Sequence, residues 1–246
     1  MRNIKITIEY EGTSYKGWQR QANGITVQEV IENVLSKITG EVIKLFGSGR
    51  TDSGVHAIAQ VANFKTESSL STGQLMKGMN TSLPGDIVII KCDEVPSDFH
   101  SQYSAKRKTY MYRILNRPHP SALLRHTTWF RRNKLDLESM RKAVELLPGE
   151  HDFRLFAHSD ITVRTTVRTV YSANLTRRGD LLIFEIEANG FLKRMVRMIT
   201  GALYQIGTGK MTIVEFGEML NTKKPEDINF ISAPARGLFL KKVDYT

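Results

Sequence analysis

Twice along this chain the hydrophobic period switches between two residues and about 3.6, in the same order, and that repeat limits the fold more than any single motif. Residues 3 to 10 alternate, putting Ile4, Ile6, Ile8 and Tyr10 on one face of a strand. The run TVQEVIENVLSKI opens with Thr26 and Glu29 at capping-box spacing, then carries Val27, Val30, Ile31, Val34, Leu35 and Ile38 at helical spacing. Residues 42 to 46 and 58 to 65 read as two strands flanking a glycine-rich turn, followed by a helix near 71 to 80 and the strand DIVIIKCDEV. The order is β-α-β-β-α-β, the split βαβ pattern of a ferredoxin-like unit.

The second half reads alike without evident sequence identity to the first. KTYMYRIL is a strand, and DLESMRKAVELL is a helix with Asp136 as N-cap and Met140, Ala143, Val144 and Leu147 on one stripe. Strands near 165 to 175 and 180 to 188 precede a helix from 191, a shorter helix opened by Thr212 and Glu215, and a strand near 238 to 245. The expected fold class is therefore α+β, with two ferredoxin-like halves, 1–105 and 106–246, parted where EVPSDFHSQYSAKRK loses its periodicity.

An apolar content of 41% over 246 residues suffices for a sizeable core. MRNIKITIEY lacks the continuous apolar stretch of a signal peptide and no later run approaches a membrane span, so the expected location is the cytosol, with no membrane partner. Cys92 is the single cysteine, which excludes a disulfide or a cysteine-based zinc site within one chain. The six histidines show no HxxxH or HExxH spacing, so no metal is expected. A formal charge of +10 favours a polyanionic partner, nucleic acid first among them.

Three stretches carry candidate chemistry. In GSGRTDSGVHA, residues 47 to 57, the glycines suit a tight turn, but a P-loop would need Gly-Lys-Ser/Thr opening a helix, and VHAIAQVANF reads as a strand. Arg50 and Asp52 are not explained by the turn. An aspartate presented from a rigid turn serves as nucleophile or base, or else caps the turn itself. In FLKRMVRMITGALYQI, an apolar stripe faces Lys193, Arg194 and Arg197, whose i, i+1 and i+4 spacing on a helix clusters three cations. They form a solvated basic face, or Arg197 aims its fork at a carboxylate or phosphate. In SAKRKTYMYRILNR, Lys106, Arg107, Lys108, Arg113 and Arg117 surround Tyr110 and Tyr112. Interleaved rings and cations suit unstacked bases, while two tyrosines on one strand face also suit a buried sheet.

Taken together, GRTDSGVHA, YEGTSYKGWQRQ, KTYMYRIL, GEHDF, FLKRMVRMITG and APARGLFL closely resemble the bacterial tRNA pseudouridine synthase A family over essentially the whole chain. The resemblance implies the pseudouridine synthase fold with a central mixed, mainly antiparallel sheet, and a homodimer. It also implies an RNA-modifying isomerase converting uridines 38, 39 and 40 of the tRNA anticodon stem-loop to pseudouridine. By motif, Asp52 is similar to the catalytic aspartate, Tyr110 to the ring that stacks on the target base, and Arg197 to the partner of the aspartate. Arg50 is similar to the arginine that helps flip the base and Leu238 to the apolar residue lining its pocket. Lys193, Arg194 and Arg107 are expected on the RNA backbone.

Pseudouridine is an isomer of uridine, so no atom is gained or lost and no cofactor is implied. The reaction needs an ionised carboxylate, as nucleophile or as base, and a base taken out of its stack at a cost of a few kcal/mol. The chain departs from the family pattern at Ser53, where alanine is common, at Gln102, where an arginine is usual, and at Lys193, where tyrosine is frequent. The last two bear on substrate range, and a diverged paralogue that modifies other uridines or binds RNA without catalysis is the alternative expectation.

Overall fold

A computed structural model describes residues 1–158, 163–221 and 231–246. Two compact units emerge from its contacts, Met1–Lys106 together with Phe239–Thr246, and Arg107–Leu238. The division falls at the loop where the hydrophobic periodicity lapses, while the closing strand groups with the first unit rather than the second.

In the first unit the order is β1 (Arg2–Tyr10), α1 (Val27–Thr39), β2 (Phe46–Gly47), β3 (His56–Thr66), α2 (Thr72–Ser82) and β4 (Ile87–Val95). β1 lies between β4 and β3, antiparallel to both, and β2 pairs antiparallel with the far edge of β3. The order β4-β1-β3-β2 is that of a ferredoxin-like sheet. The chain's last strand, β10 (Leu238–Asp244), joins the same edge of β3 in parallel, Phe239 opposite His56. Ile4, Ile6 and Ile8 are fully buried, as the alternation of β1 requires, and so are Val27, Ile31 and Leu35 along one stripe of α1. Thr26 caps α1 by accepting from the Glu29 amide, although Glu29 itself turns to Arg20 at 3.5 Å. Ser71 and Gln74 make a reciprocal capping box on α2.

Residues 42 to 45, expected in a strand, are not one. Their backbone groups are taken by α1 side chains instead: the Leu45 amide donates to Glu32 Oε1 at 2.9 Å and its carbonyl accepts from Gln28 Nε2 at 2.9 Å. Only Phe46 and Gly47 remain to pair with β3. Cys92 is half-buried on β4, where burial and Asp93 push its thiol up to about 11.

The second unit runs β5 (Arg107–Asn116), β6 (Trp129–Arg131), α3 (Leu137–Val144), β7 (Gly149–Asp152), β8 (Val167–Arg178), β9 (Leu181–Ala188), α4 (Met195–Gly207) and α5 (Ile213–Asn221). Its sheet is β5-β9-β8-β7, antiparallel throughout, with the short β6 added in parallel on β5. Setting β6 and β7 aside, β5-α3-β8-β9-α4 repeats the first five elements of the first unit, and α5 follows where that unit has β4. Asp136 caps α3 through the Glu138 and Ser139 amides, and Thr212 and Glu215 exchange the two bonds of a capping box before α5. Among the described residues no helix is long and apolar enough to cross a membrane.

Candidate active site

Asp52 sits in the connection between β2 and β3, in a turn closed by the Val55 amide donating to the Asp52 carbonyl at 3.1 Å. Gly54 has φ +78, a value that favours glycine, and it lets the chain reverse directly into β3. Two sets of contacts immobilise the turn. Behind it, the fully buried Gln60 of β3 donates from Nε2 to the Gly49 carbonyl at 2.9 Å and accepts from Ser48 Oγ at 2.6 Å. Beside it, residues 12 to 18 wrap the turn as a brace. The Trp18 amide donates to the Thr51 carbonyl at 3.2 Å, and the Tyr15 carbonyl accepts from the Gly54 amide at 3.3 Å and Ser53 Oγ at 3.2 Å. Tyr10 Oη and Thr51 Oγ1 share a buried bond of 2.8 Å.

The brace approaches so closely that two of its residues must be glycine. A Cβ on Gly12 would lie 1.9 Å from the Val55 carbonyl oxygen, and one on Gly17, which has φ +90, would lie 2.5 Å from that of Thr51. Its other end is anchored to α1, whose Val27 and Gln28 amides donate to the Gly17 and Trp18 carbonyls at 3.2 and 3.0 Å. The indole of Trp18 is buried over Gly47 and 6.2 Å from the ring of Tyr10. Burial raises the Tyr10 phenol far above its ordinary range, and burial with Asp86 does the same for Tyr15, so both stay neutral hydroxyls. Asp52 is half-buried and Arg50 exposed on this scaffold. A carboxylate is thus presented by backbone that has almost no freedom to move, the condition for an acid, base or nucleophile that must meet one atom.

In the second unit Tyr110 and Tyr112 share one face of β5 with different surroundings. Tyr112 is wholly buried, donates to the Pro234 carbonyl at 2.7 Å and packs so tightly on Gly237 that a Cβ there would come within 2.6 Å of the ring. It is a core tyrosine. Tyr110 is 8% exposed and takes the ring of Phe191 edge-on, centroids 4.9 Å apart. Phe191 belongs to the segment leading into α4, so this contact ties Tyr110 to the stretch that carries Lys193, Arg194 and Arg197. On α4, Arg197 exchanges bonds with the segment before β10: its Nε donates to the Ala233 carbonyl at 2.7 Å and its carbonyl accepts from the Ala233 amide at 3.0 Å. Leu238, five residues on, is buried.

The expected three-cation helix face does not form. α4 begins at Met195, so Lys193 lies outside it and Arg194 is its N-cap, with φ 63. Arg194 is the one non-glycine residue among those described with positive φ. A left-handed residue cannot continue a right-handed helix, so 193 and 194 leave the helical spacing that would have stacked them over Arg197. Both are exposed. Arg107 is engaged within its unit, 3.2 Å from Glu187 and with its guanidinium 4.3 Å from the centre of the Tyr171 ring. Among the described residues no group of three or more His, Cys, Asp or Glu could hold a metal ion.

With this geometry in view, comparison with known proteins is decisive. The family profile described as "tRNA pseudouridine synthase" matches residues 6–104 and 143–246. The chain belongs to the tRNA pseudouridine synthase family. Asp52, Arg50, Lys193, Arg194, Arg197 and Leu238 all fall inside the matched segments, whereas Tyr110 and Arg107 lie between them. Relatives span that interval. The chain is 44% identical over 245 residues to "tRNA pseudouridine synthase A" of Thermoanaerobacter sp. (strain X514) and 45% identical to the protein of that name from Acetivibrio thermocellus. It is 44% identical to "tRNA pseudouridine synthase A 2" of Clostridium perfringens, and in all three cases the whole of both chains is covered. The brace that holds the pseudouridine synthase turn lies within YEGTSYKGWQRQ, a stretch to which sequence reasoning assigns no task of its own. Its two obligatory glycines, spaced five apart and ending at a tryptophan, are the signal that could have found it.

Proposed function

We propose that this family member isomerises uridine to pseudouridine in tRNA, at positions 38, 39 and 40 of the anticodon stem-loop, with Asp52 as its catalytic carboxylate. The observation that carries the proposal is the clamped turn, which combines two close glycine approaches, a buried glutamine and a tyrosine–threonine bond around one aspartate. In the reaction the N1 glycosidic bond breaks, the uracil turns, C5 bonds to the same ribose carbon, C5 loses its proton and N1 gains one. An ionised aspartate either attacks as a nucleophile or removes a ribose proton in a glycal route. Both demand a fixed carboxylate.

The remaining residues take roles in the same reading. Tyr110 stacks on the extruded base, its ring orientation held by Phe191. Arg197, whose guanidinium is held by its bond to the Ala233 carbonyl, takes the role of the aspartate's partner. Arg50 assists extrusion, Leu238 lines the apolar pocket, Lys193 and Arg194 meet phosphates, and Arg107 does so only in exchange for its Glu187 partner. The enzyme acts in the cytoplasm as a homodimer, a state that sedimentation equilibrium reads directly.

The test is tritium release from tRNA labelled at C5 of uridine, with wild type and Asp52→Asn side by side. The wild type is expected to release tritium and the variant, isosteric but uncharged, to release none while binding tRNA within a few-fold of wild type. Turnover by Asp52→Asn at the wild-type rate overturns the assignment, and mapping the modified positions checks the three uridines.

A further inference from the structure

His56 lies four residues after Asp52 and is 1% exposed, at the first position of β3. Its ring stacks on Phe239 of β10, centroids 4.7 Å apart and planes 27° from parallel. Its Nδ1 accepts a hydrogen bond from the Gly12 amide at 3.0 Å. A backbone N–H can only donate, so Nδ1 carries no proton, and a neutral ring then carries its proton on Nε2. Gly12 is the residue at which the brace presses hardest on the turn, against Val55. From there the path is short and polar: the Gly12 carbonyl accepts from the Tyr15 amide at 3.0 Å, and the Tyr15 carbonyl holds Ser53 Oγ and the Gly54 amide. A buried amide left without a partner is costly, so the ring fixes where the brace begins.

We infer that His56 is a positioning residue for the pseudouridine synthase reaction: its unprotonated Nδ1, received by the Gly12 amide, sets the brace that orients the Asp52 carboxylate. The inference rests on the reading of Asp52 as the catalytic group. It predicts that the acceptor atom matters, and not merely a ring-sized buried side chain. Asparagine places Oδ1 two bonds from Cβ, where histidine has Nδ1, whereas glutamine places its amide one bond further out, where histidine has Nε2.

The experiment compares kcat and KM for tRNA in wild type, His56→Asn and His56→Gln, with thermal melting of each. His56→Asn is expected to keep kcat within a few-fold, and His56→Gln to lose about 10²-fold in kcat with KM little changed, the scale of a displaced catalytic group. Equal kcat in the two variants overturns the inference, as does a loss confined to KM or one that follows melting temperature alone. Long-range proton–nitrogen NMR on the wild type needs no variant. A proton on Nε2 and none on Nδ1 is expected, and a proton on Nδ1 overturns it. Turnover by Asp52→Asn at the wild-type rate would instead strike the reading of Asp52, so the two failures are distinguishable.

Discussion

At the scale of single residues the site depends on atoms that are missing. Gly12 and Gly17 contribute nothing chemical to a carboxylate far along the chain, yet the absence of their Cβ atoms lets one segment lie flat against the backbone of another. Gly12→Ala would drive a methyl group into the Val55 carbonyl, which as backbone cannot swing aside. We expect the variant to be less stable by about 1–3 kcal/mol, typical of overpacking. A fall in turnover exceeding what the fraction unfolded explains should accompany it. Chemical denaturation and single-turnover tritium release on the same preparation check both, and unchanged values would mean the brace yields without moving Asp52. The glycines, arginine and aspartate of the turn are legible in the sequence because they are neighbours in it. The brace is less so, because its bonds to the turn join residues more than thirty apart: the spacing of Gly12, Gly17 and Trp18 marks a close approach without showing which backbone is approached.

At the scale of elements, α4 shows where periodicity stops being informative. Its apolar stripe from Met195 to Ile206 is legible, since buried helical positions recur whatever the polar residues do. Its start is not, because one left-handed residue leaves no trace in spacing. A similar limit applies to residues 42 to 45, where Ile43 and Leu45 are buried but the backbone bonds go to α1 side chains instead of a neighbouring strand. Arg194 in this conformation carries a cost of about 1–2 kcal/mol that glycine would not. If that cost is retained because the exposed guanidinium meets RNA, Arg194→Gly should melt at an equal or higher temperature than wild type and bind tRNA more weakly. Lower melting with unaltered tRNA affinity would show that the arginine serves the fold.

At the scale of the whole molecule, two features are legible for the same reason: both are sums over local patterns. The repeated β-α-β-β-α order follows from period switching within each half, and the net charge of +10 follows from counting. The affiliation of β10 is not, because a strand's partner is chosen by pairing over almost two hundred residues, as with Phe239 opposite His56. Nor does a count show which cations are available to a polyanion. Arg107 already faces Glu187 and Tyr171, whereas Arg194 is exposed at the entry to α4. Removing one cation that meets a phosphate should reduce the slope of log affinity against log salt by about one. Arg194→Ala is therefore expected to flatten the slope for tRNA by about one. Arg107→Ala should change it by clearly less, because a guanidinium already neutralised by Glu187 displaces few phosphate counterions. Titrations at several salt concentrations resolve the difference. A full unit of slope removed by Arg107→Ala would mean that RNA displaces Glu187 when it binds, making the pair a latent phosphate site and not a structural one.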